Sequence, residues 1–285
     1  MKILVATDFS PASDHASMYA IQLGAQLGAD LQFFHAYEKN RKSQQLLPSD
    51  IAEALQQQGE FAAQKYFLKY LKHLRAELNQ VVSVQPLLKA GKAAQLIPEI
   101  GKQEGVDLIV MGAGNARSFS KKVLGNVATS VLKRSQVPLL MVPQEAEWRP
   151  IKHIVYGTRF EETGDRVPDV LDLIAEAGGG HISCVNIRQH EKGKQRKHPI
   201  MERIFRLQED PSNRIFFYTM RHRGVLVGLQ DFGEMYKCDL LSVLNPSSSS
   251  YQNWIKSSLS RDLLFRTKVP LLVAANEEDC PPKKP

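Results

Sequence analysis

The chain has 285 residues, of which 43% are hydrophobic and 24% are charged, with a formal net charge of +7 at pH 7. These values are typical of a soluble globular protein, and the length predicts about two domains. No apolar run approaches the roughly 20 residues that a membrane-spanning helix needs. The opening MKILVATDFS reaches Asp8 too early for the apolar core of a signal peptide. We therefore expect a cytoplasmic protein with no membrane partner.

Neither the positive charge nor the cysteines indicate a special class of partner. Lys and Arg are spread through both halves, and the densest run, RQHEKGKQRKH at 188–198, is typical of a solvated loop. A nucleic-acid surface would need more clustered charge with interleaved aromatic residues, so nucleic acid is not predicted as a partner. The cysteines are odd in number and widely spaced, which predicts neither disulfides nor a metal site: Cys184, Cys238 and Cys280.

The beginning of the chain predicts a strand, a helix and a second strand. KILVAT is apolar and predicts the first strand. Ser10 suits an N-cap and Pro11 the first helical position, so a helix is predicted to begin there. It is predicted to run to about Leu27, with Gly28 near its end. LQFFHAY predicts the second strand.

The alternation continues to about residue 142. A long helix is predicted from about Ser49, because four apolar residues recur at helical spacing: Phe67, Leu71, Leu74 and Leu78. VSVQPLL is the third predicted strand. A short helix is predicted near 93–104, where Pro98 should cause a bend or a shortening. DLIVMG and PLLMV are the fourth and fifth predicted strands.

These strands are apolar nearly throughout, which is typical of strands that helices cover on both faces. Alternating strands and helices with right-handed crossovers give an α/β fold with a doubly wound parallel sheet. We therefore predict two tandem Rossmann-like domains, each a five-stranded parallel sheet with flanking helices.

The second domain is predicted from an internal repeat. Asp107 and Pro138 are 31 positions apart in VDLIVMG…VPLLMV, and Asp239 and Pro270 are 31 positions apart in CDLLSVL…VPLLVA. ILVATDF at the start resembles IVYGTRF at 154–160. The repeat predicts domains at 1–145 and 151–276, joined by PQEAEWRP. The second copy is shorter in its middle, so its second helix, near 199–209, is predicted to be short.

Two features lie at the predicted carboxyl ends of strands, where such sheets bind ligands. Thr7 and Asp8 follow the first strand, and Gly112-Ala113-Gly114 follows the fourth. If these strands are neighbours, both features border one crevice. The helix predicted to begin near Lys122 would point its amino end, which favours anions, toward the same place.

These segments resemble the universal stress protein family, from Met1 to about Val142 and again from about Lys152 to Ala274. ILVATDFSP is similar to the family's first strand and turn, and DLIVMG with VLGNVATSVLKRSQVPLLMVP to its closing segment. The ATP-binding branch carries a Gly, two residues, a Gly, nine residues, then a Gly and a Ser or Thr. Gly112 matches the first glycine and Gly125 the third, but Asn115 and Asn126 occupy the other two positions.

The resemblance implies ATP or a related adenine nucleotide as the ligand, with contacts from Asp8 and from the backbone near Ala36 and Tyr37. Asn115 can hold the positive φ of a glycine, although its side chain occupies space that a phosphate needs. Asn126 keeps a hydrogen-bond donor where Ser or Thr would donate. The candidate nucleotide-binding residues are Thr7, Asp8, Ala36, Tyr37, Gly112, Gly114, Asn115, Gly125 and Asn126.

Each of these residues also has an interpretation without a ligand. Gly112 and Gly114 could serve simply to permit a tight turn, and Gly125 simply to permit close packing of a helix. Asp8 could do no more than accept a hydrogen bond from the turn at Ser10. Both interpretations remain open at this level.

The second copy lacks the motif. Arg159 stands in place of Asp8, and the glycine and asparagine positions read Leu244, Pro246, Ser247, Ser257 and Ser258. Pro246 also removes an amide donor. A nucleotide site of the family type is therefore predicted in the first domain alone, and the second domain is predicted to be degenerate.

The resemblance implies a stress-response binding or regulatory module rather than an enzyme. In this family the fifth strand pairs with that of a second copy, so PLLMV and PLLVA are predicted to pair within the chain as a pseudo-dimer. A homodimer and an unknown protein partner are left open, as is action through protein contacts without a nucleotide. The enzyme alternative, an ATP pyrophosphatase, would need a glycine-containing loop where this chain has TDFSPASD, and weak ATP hydrolysis is left open. His35 and His153 are predicted to be packing residues.

Overall fold

The computed structural model describes residues 1–38, 47–113, 126–158, 167–189, 202–209, 214–244 and 267–274. In the amino-terminal half, strands and helices alternate as β1 (Lys2–Ala6), α1 (Pro11–Leu27), β2 (Asp30–Tyr37), α2 (Ser49–Gln57), α3 (Glu60–Glu77), β3 (Val84–Ala90), α4 (Ala93–Gln103), β4 (Leu108–Gly112), α5 (Asn126–Arg134) and β5 (Leu139–Val142). The carboxyl-terminal half contains β6 (His153–Gly157), α6 (Asp169–Gly178), β7 (His181–Gln189), β8 (Glu202–Glu209), β9 (Ile215–His222), α7 (Val225–Met235), β10 (Leu240–Leu244) and β11 (Leu271–Ala274).

Helix α1 begins and ends where the sequence predicts. The Ser10 hydroxyl accepts a hydrogen bond from the Ser13 amide at 3.3 Å, and Pro11 is the first helical residue. Gly28 closes the helix in the left-handed region, with φ of 59°. A residue with a side chain would be strained in this conformation, which is why glycine stands there.

The long helix predicted from Ser49 is in fact two helices, α2 and α3, so that prediction is wrong in detail. The break falls at Gln58 and Gly59, and Gly59 has φ of 88°, which a helix cannot accommodate. Pro98 lies inside α4, which keeps nearly its full predicted length. Pro98 has no N–H to donate to the Ala94 carbonyl, and the Ser130 hydroxyl donates to that carbonyl instead, at 3.4 Å.

The strands form one eleven-stranded sheet in the order β3-β2-β1-β4-β5-β11-β10-β6-β7-β9-β8. Strand β4 lies beside β1, as the predicted crevice requires, with Ala6 opposite Met111. The halves join through an antiparallel pairing of β5 with β11, in which Leu140 lies opposite Leu272. The predicted pairing of PLLMV with PLLVA is therefore present, and it covers a strand edge from each half.

The internal repeat is reproduced in the register of the sheet. Ile3 pairs with Leu31 and Leu108, and Ile154 pairs with Ile182 and Leu240. The second set lies at equivalent positions, 151 residues further on for the first two strands and 132 for the fourth. Equivalent carboxylates support both first strands: Asp107 accepts a hydrogen bond from the Lys2 amide at 2.9 Å, and Asp239 from the His153 amide at 2.8 Å.

The halves differ between their second and third parallel strands. The short helix predicted near 199–209 is wrong, because residues 202–209 form β8, which pairs antiparallel with β9. The second half therefore has five parallel strands and one antiparallel edge strand, rather than parallel strands alone. The segment ERIFRLQE is too short for its apolar spacing to separate a strand from a helix.

The connection between the halves packs against α1. Ala146 and Ile151 are buried. The Gln26 side chain accepts a hydrogen bond from the Ile151 amide at 3.1 Å, and the Trp148 ring meets the Tyr19 ring edge-on at 4.8 Å. These contacts fix the direction in which β6 begins.

Candidate functional site

The carboxyl ends of β1 and β4 lie side by side. Because Ala6 pairs with Met111, the turn that begins at Thr7 starts next to Gly112. A Cβ on Gly112 would lie 2.8 Å from the carbonyl oxygen of Ala12, in the first turn of α1. Glycine at this position is therefore explained by the close approach of the helix backbone. Its φ lies outside the left-handed region, so the tight-turn interpretation does not apply to Gly112.

Hydroxyl groups hold the turn after β1. The Thr7 and Ser13 hydroxyls are 3.1 Å apart, and Thr7 Oγ1 also accepts a hydrogen bond from the Phe9 amide at 3.0 Å. Asp8 Oδ1 accepts from the Ser10 amide at 3.0 Å. Asp8 is exposed, so its carboxylate can be reached by a ligand from solvent.

Asp8 is ionised at neutral pH. Burial on the protein side raises the pKa of its carboxyl, but hydrogen bonds from Ser10 and Ser13 outweigh that effect, so the pKa lies below the ordinary value of 3.8. An ionised carboxylate accepts hydrogen bonds and donates none. It suits the hydroxyl or amino donors of a ligand and repels a phosphate.

Phe9 holds an uncommon backbone conformation in this turn. Its φ is 57°, in the left-handed region, although it is a bulky residue. The side chain is buried, and its ring contacts Phe67 at 5.1 Å and Tyr70 at 5.7 Å, both on α3. It also contacts the His35 ring on β2 at 5.0 Å. The packing of α3 thus supports the conformation of the Asp8 turn.

Strand β2 runs past the end of β1 and leaves a backbone edge that no described strand covers. The pairing of β1 with β2 closes with the Thr7 amide, which donates to the Phe34 carbonyl at 2.9 Å. Backbone groups of alternate residues face the same neighbouring strand, so the N–H and C=O of Ala36 point to the side that β1 has left. The Tyr37 carbonyl faces the other way and accepts from the Gly91 amide at 2.9 Å.

Ala36 therefore presents a backbone donor and acceptor, and Tyr37 does not. The Tyr37 hydroxyl donates to the Glu60 carboxylate at 2.7 Å. Burial and the Glu60 carboxylate raise the pKa of Tyr37 to about 12. This pair ties β2 to the start of α3.

Part of the predicted site cannot be placed. Gly114, Asn115 and Gly125 lie outside the described residues, as does Lys122, so the glycine-rich loop remains a prediction. Asn126 is the first described residue of α5 and is exposed. The structure thus brings together the ends of β1, β2 and β4, at Asp8, Ala36 and Gly112.

Three structural residues of the site were not predicted from the sequence in these roles. Ser13 and Phe9 organise the turn. His35 is buried as predicted, but it also lies within hydrogen-bond distance of the Thr7 carbonyl, at 2.8 Å. The pattern Ser-Pro-x-Ser at 10–13 could have suggested the role of Ser13. The contacts of Phe9 and His35 depend on α3 and have no local signal.

The second half repeats the backbone and changes the side chains. The Thr158 amide donates to the Val185 carbonyl at 3.0 Å, as Thr7 does to Phe34. Leu244 occupies the position of Gly112, and the exposed Arg188 that of Tyr37. The other substituted positions lie outside the described residues: Arg159, Pro246, Ser247, Ser257 and Ser258.

The described residues contain neither a metal-binding cluster nor a membrane-spanning helix. Among them, no cluster of three or more His, Cys, Asp or Glu side chains could hold a metal ion. No helix within the described ranges is both long and apolar enough to span a bilayer. Cys184 and Cys238 are buried thiols without a disulfide.

Comparison with known proteins identifies the family. Residues 1–143, half of the chain, match the universal stress protein family. A universal stress protein of Methanocaldococcus jannaschii is 30% identical over 76 residues, which cover 26% of this chain and 47% of that protein. The chain thus spans about half the length of this curated relative.

Solved structures extend the likeness of fold to the second half. A universal stress protein from Archaeoglobus fulgidus DSM 4304 superposes with a TM-score of 0.68 at 16% identity, covering 96% of this chain and 97% of that one. A protein of unknown function from Pseudomonas aeruginosa PAO1 gives a TM-score of 0.57 at 11% identity, covering 98% and 94%. At these identities the likeness concerns the fold alone. Through the match over its first half, the chain belongs to the universal stress protein family.

Proposed function

We propose that this universal stress protein is a binding and regulatory module that holds ATP or a related adenine nucleotide in its amino-terminal half. The observation that carries the proposal is the open backbone edge of Ala36 beside the available carboxylate of Asp8. In the described part of the carboxyl-terminal half, Leu244 stands in place of Gly112 and Arg188 in place of Tyr37. This half would act as a paired scaffold.

The chemistry of the two groups assigns the parts of the ligand. The N–H and the C=O of Ala36 point in the same direction, one as a donor and the other as an acceptor. This pair matches the edge of an adenine base, which also offers one acceptor and one donor side by side. Asp8 is ionised and accepts hydrogen bonds, so it fits the ribose hydroxyls rather than the phosphates. The phosphates would then lie toward α5, whose amino-terminal end favours an anion. The loop at 114–125 would complete their contacts.

A second function is action through protein contacts with no nucleotide. Gly112 favours it, because packing against Ala12 explains that glycine without a ligand. The identity of Asn115 favours it too, since any side chain at this glycine position of the motif would need space that a phosphate uses. Both functions use the same paired halves, and they differ in whether the Ala36 edge is filled.

The test is calorimetric titration of the full chain with ATP and with AMP. We expect micromolar binding that Ala36→Pro abolishes, because proline removes the N–H and fits a strand only where that N–H is outside the ladder. The matched control is Ala90→Pro. Ala90 is an exposed alanine of edge strand β3. Its N–H points off the sheet, on the side of the strand where Pro86 already stands without an N–H.

The control should bind as the wild type does. Asp8→Ala should weaken the binding of ATP and the binding of AMP to a similar extent, since both ligands contain the ribose. No binding at millimolar concentrations of either ligand would refute the nucleotide proposal and leave the contact-only function.

A further inference from the structure

His35 on β2 is buried beneath the Asp8 turn with only one of its ring nitrogens engaged. The residue is 5% exposed, and Nδ1 lies 2.8 Å from the Thr7 carbonyl oxygen. Since a carbonyl only accepts, Nδ1 carries the proton. In the neutral ring, Nε2 is then unprotonated and carries a lone pair, so it can only accept a hydrogen bond. Nε2 is buried and has no hydrogen-bond partner among the described residues.

The surroundings of the ring are aromatic and apolar. The Phe9 ring lies 5.0 Å away and is itself packed against Phe67, while β3 places Leu88 beside His35 in register. Titratable side chains close to the Asp8 turn include Asp8 itself, Asp14, Tyr37, Glu60 and Tyr70. Four of them engage each other in pairs, through Tyr37 with Glu60 and Tyr70 with Asp14.

The charge of Asp8 is the one that acts on the ring. Burial lowers the pKa of His35, and the Thr7 carbonyl and the Asp8 charge oppose this without reversing it. At neutral pH the ring is therefore uncharged, which agrees with its single hydrogen bond.

Protonation would place a new N–H on Nε2, where no described acceptor lies. A buried charged donor without an acceptor is costly, so the ring must leave the pocket or the pocket must open. Departure of the ring removes both the donor to Thr7 and the support of Phe9, and opening of the pocket separates Phe9 from the ring. Phe9 has a left-handed φ that packing maintains, so the turn would relax toward an ordinary conformation and displace Asp8.

We propose that His35 is a positioning residue that keeps Asp8 in place only while its ring is neutral, which makes this site sensitive to acid. The effect on nucleotide affinity rests on the function proposed above. The effect on the turn itself does not, and the two can be measured separately.

The second half supplies a replacement that cannot titrate. Asn186 occupies the position of His35 in the repeat and is also buried. An asparagine amide can place a donor close to where Nδ1 stands, with no change of charge across this pH range. His35→Asn is therefore the variant of choice. His73→Asn is its matched control, because the His73 side chain is 77% exposed on α3.

The first experiment uses isotope-labelled full-length protein without nucleotide. NMR should show the His35 ring titrating below the ordinary histidine value of 6.5, with the amide signals of Asp8, Phe9 and Ser10 moving at the same midpoint. His73→Asn should leave this transition unchanged, and His35→Asn should remove it. The proposal would be overturned if the turn amide signals did not shift at the His35 midpoint. It would also be overturned if they still showed the transition in a folded His35→Asn protein.

The second experiment measures adenosine binding, because adenosine has no phosphate that titrates in this range. Between neutral pH and a pH below the midpoint that the NMR titration gives for His35, we expect the wild type to lose affinity by about fivefold or more, and His35→Asn to lose much less. Equal losses in both proteins would contradict the proposal. If adenosine does not bind at either pH, the proposed function fails, and the NMR titration still decides the role of His35.

Discussion

The two halves of the sheet share a framework and differ at its carboxyl edge. Both halves have the same strand register and a carboxylate that supports the first strand. In both, a threonine amide also donates the last hydrogen bond from the first strand to the second, at Thr7 and at Thr158. At the edge, glycine is exchanged for Leu244 and tyrosine for Arg188. The difference shows that the buried strands hold the architecture, while the residues just beyond the strand ends can change without altering it.

The covering of the sheet differs as well. The first half places α2 and α3 after β2, and α3 packs its apolar face on β3 and against Phe9. The second half places the antiparallel strand β8 there. Only the first half thus has a helix that supports the turn after its first strand, within the described residues. The proposed site and this supporting helix lie in the same half.

The largest expected effect concerns the seam between the halves. Leu140 and Leu272 are both 0% exposed and lie opposite each other across β5 and β11. We expect Leu140→Ala and Leu272→Ala each to cost about 3 kcal/mol in the free energy of unfolding. The double variant should cost less than the sum, because the residues share one core.

Urea unfolding measures these costs. In a two-domain protein with separable halves, each variant would destabilise one of two transitions and leave the other unchanged. The account predicts instead that either variant shifts the unfolding of both halves.

The next largest effect is expected when Gly112 is replaced by leucine, the residue at the equivalent position of the second half. Gly112→Leu places a side chain where a Cβ alone would lie 2.8 Å from the Ala12 carbonyl. Overpacking against a helix backbone should cost about 2 kcal/mol and displace α1 from the Asp8 turn, abolishing nucleotide binding. The reciprocal Leu244→Gly should not create a site. Unchanged stability of Gly112→Leu by thermal unfolding would show that the approach of α1 is not tight.

The smallest effect is a dependence of stability on pH to which two histidines of the second half contribute. His153 lies 2.9 Å from the Ser183 hydroxyl and stacks on His181 at 4.4 Å. Burial and the nearby His181 lower the pKa of His153, while the Tyr236 carbonyl and Asp239 oppose this. Burial also lowers the pKa of His181.

A histidine whose pKa is lower in the folded state binds its proton more readily when unfolded. Its stabilisation is therefore present above the unfolded value of 6.5 and is lost as pH falls through the lower folded pKa. We expect His181→Phe to reduce the slope of stability against pH in that window, and His73→Phe, at an exposed site, to leave it unchanged. Urea midpoints across the window measure the slope. An identical slope in both variants would contradict this account.

Sequence reasoning could predict the framework because its signals are local. Ser10, Pro11 and Gly28 bound α1, and apolar strands with an exact 31-residue spacing reveal the repeat. The break at Gly59 had a signal in the glycine itself, but the helical spacing on either side masked it. Strand β8 had none, because pairing with β9 decides its conformation rather than local propensity.

The site was predictable in outline only. Strand order placed Asp8 beside Gly112, which a doubly wound fold implies. Two contacts of the site join elements that are far apart in sequence, so no local pattern predicts them. These are the packing of Gly112 on Ala12 and the contact of Phe9 with His35. The open edge of Ala36 depends on β1 ending before β2, and pairing lengths are not encoded locally.

The central claim is that one half binds an adenine nucleotide and the other does not. The most direct measurement is an ATP titration followed by NMR on the amides of both halves. The account predicts saturable shifts at Thr7 and Ala36, with no change at the equivalent Thr158 and Ile187. No shift at Ala36 with millimolar ATP, or saturable shifts confined to Thr158 and Ile187, would contradict it.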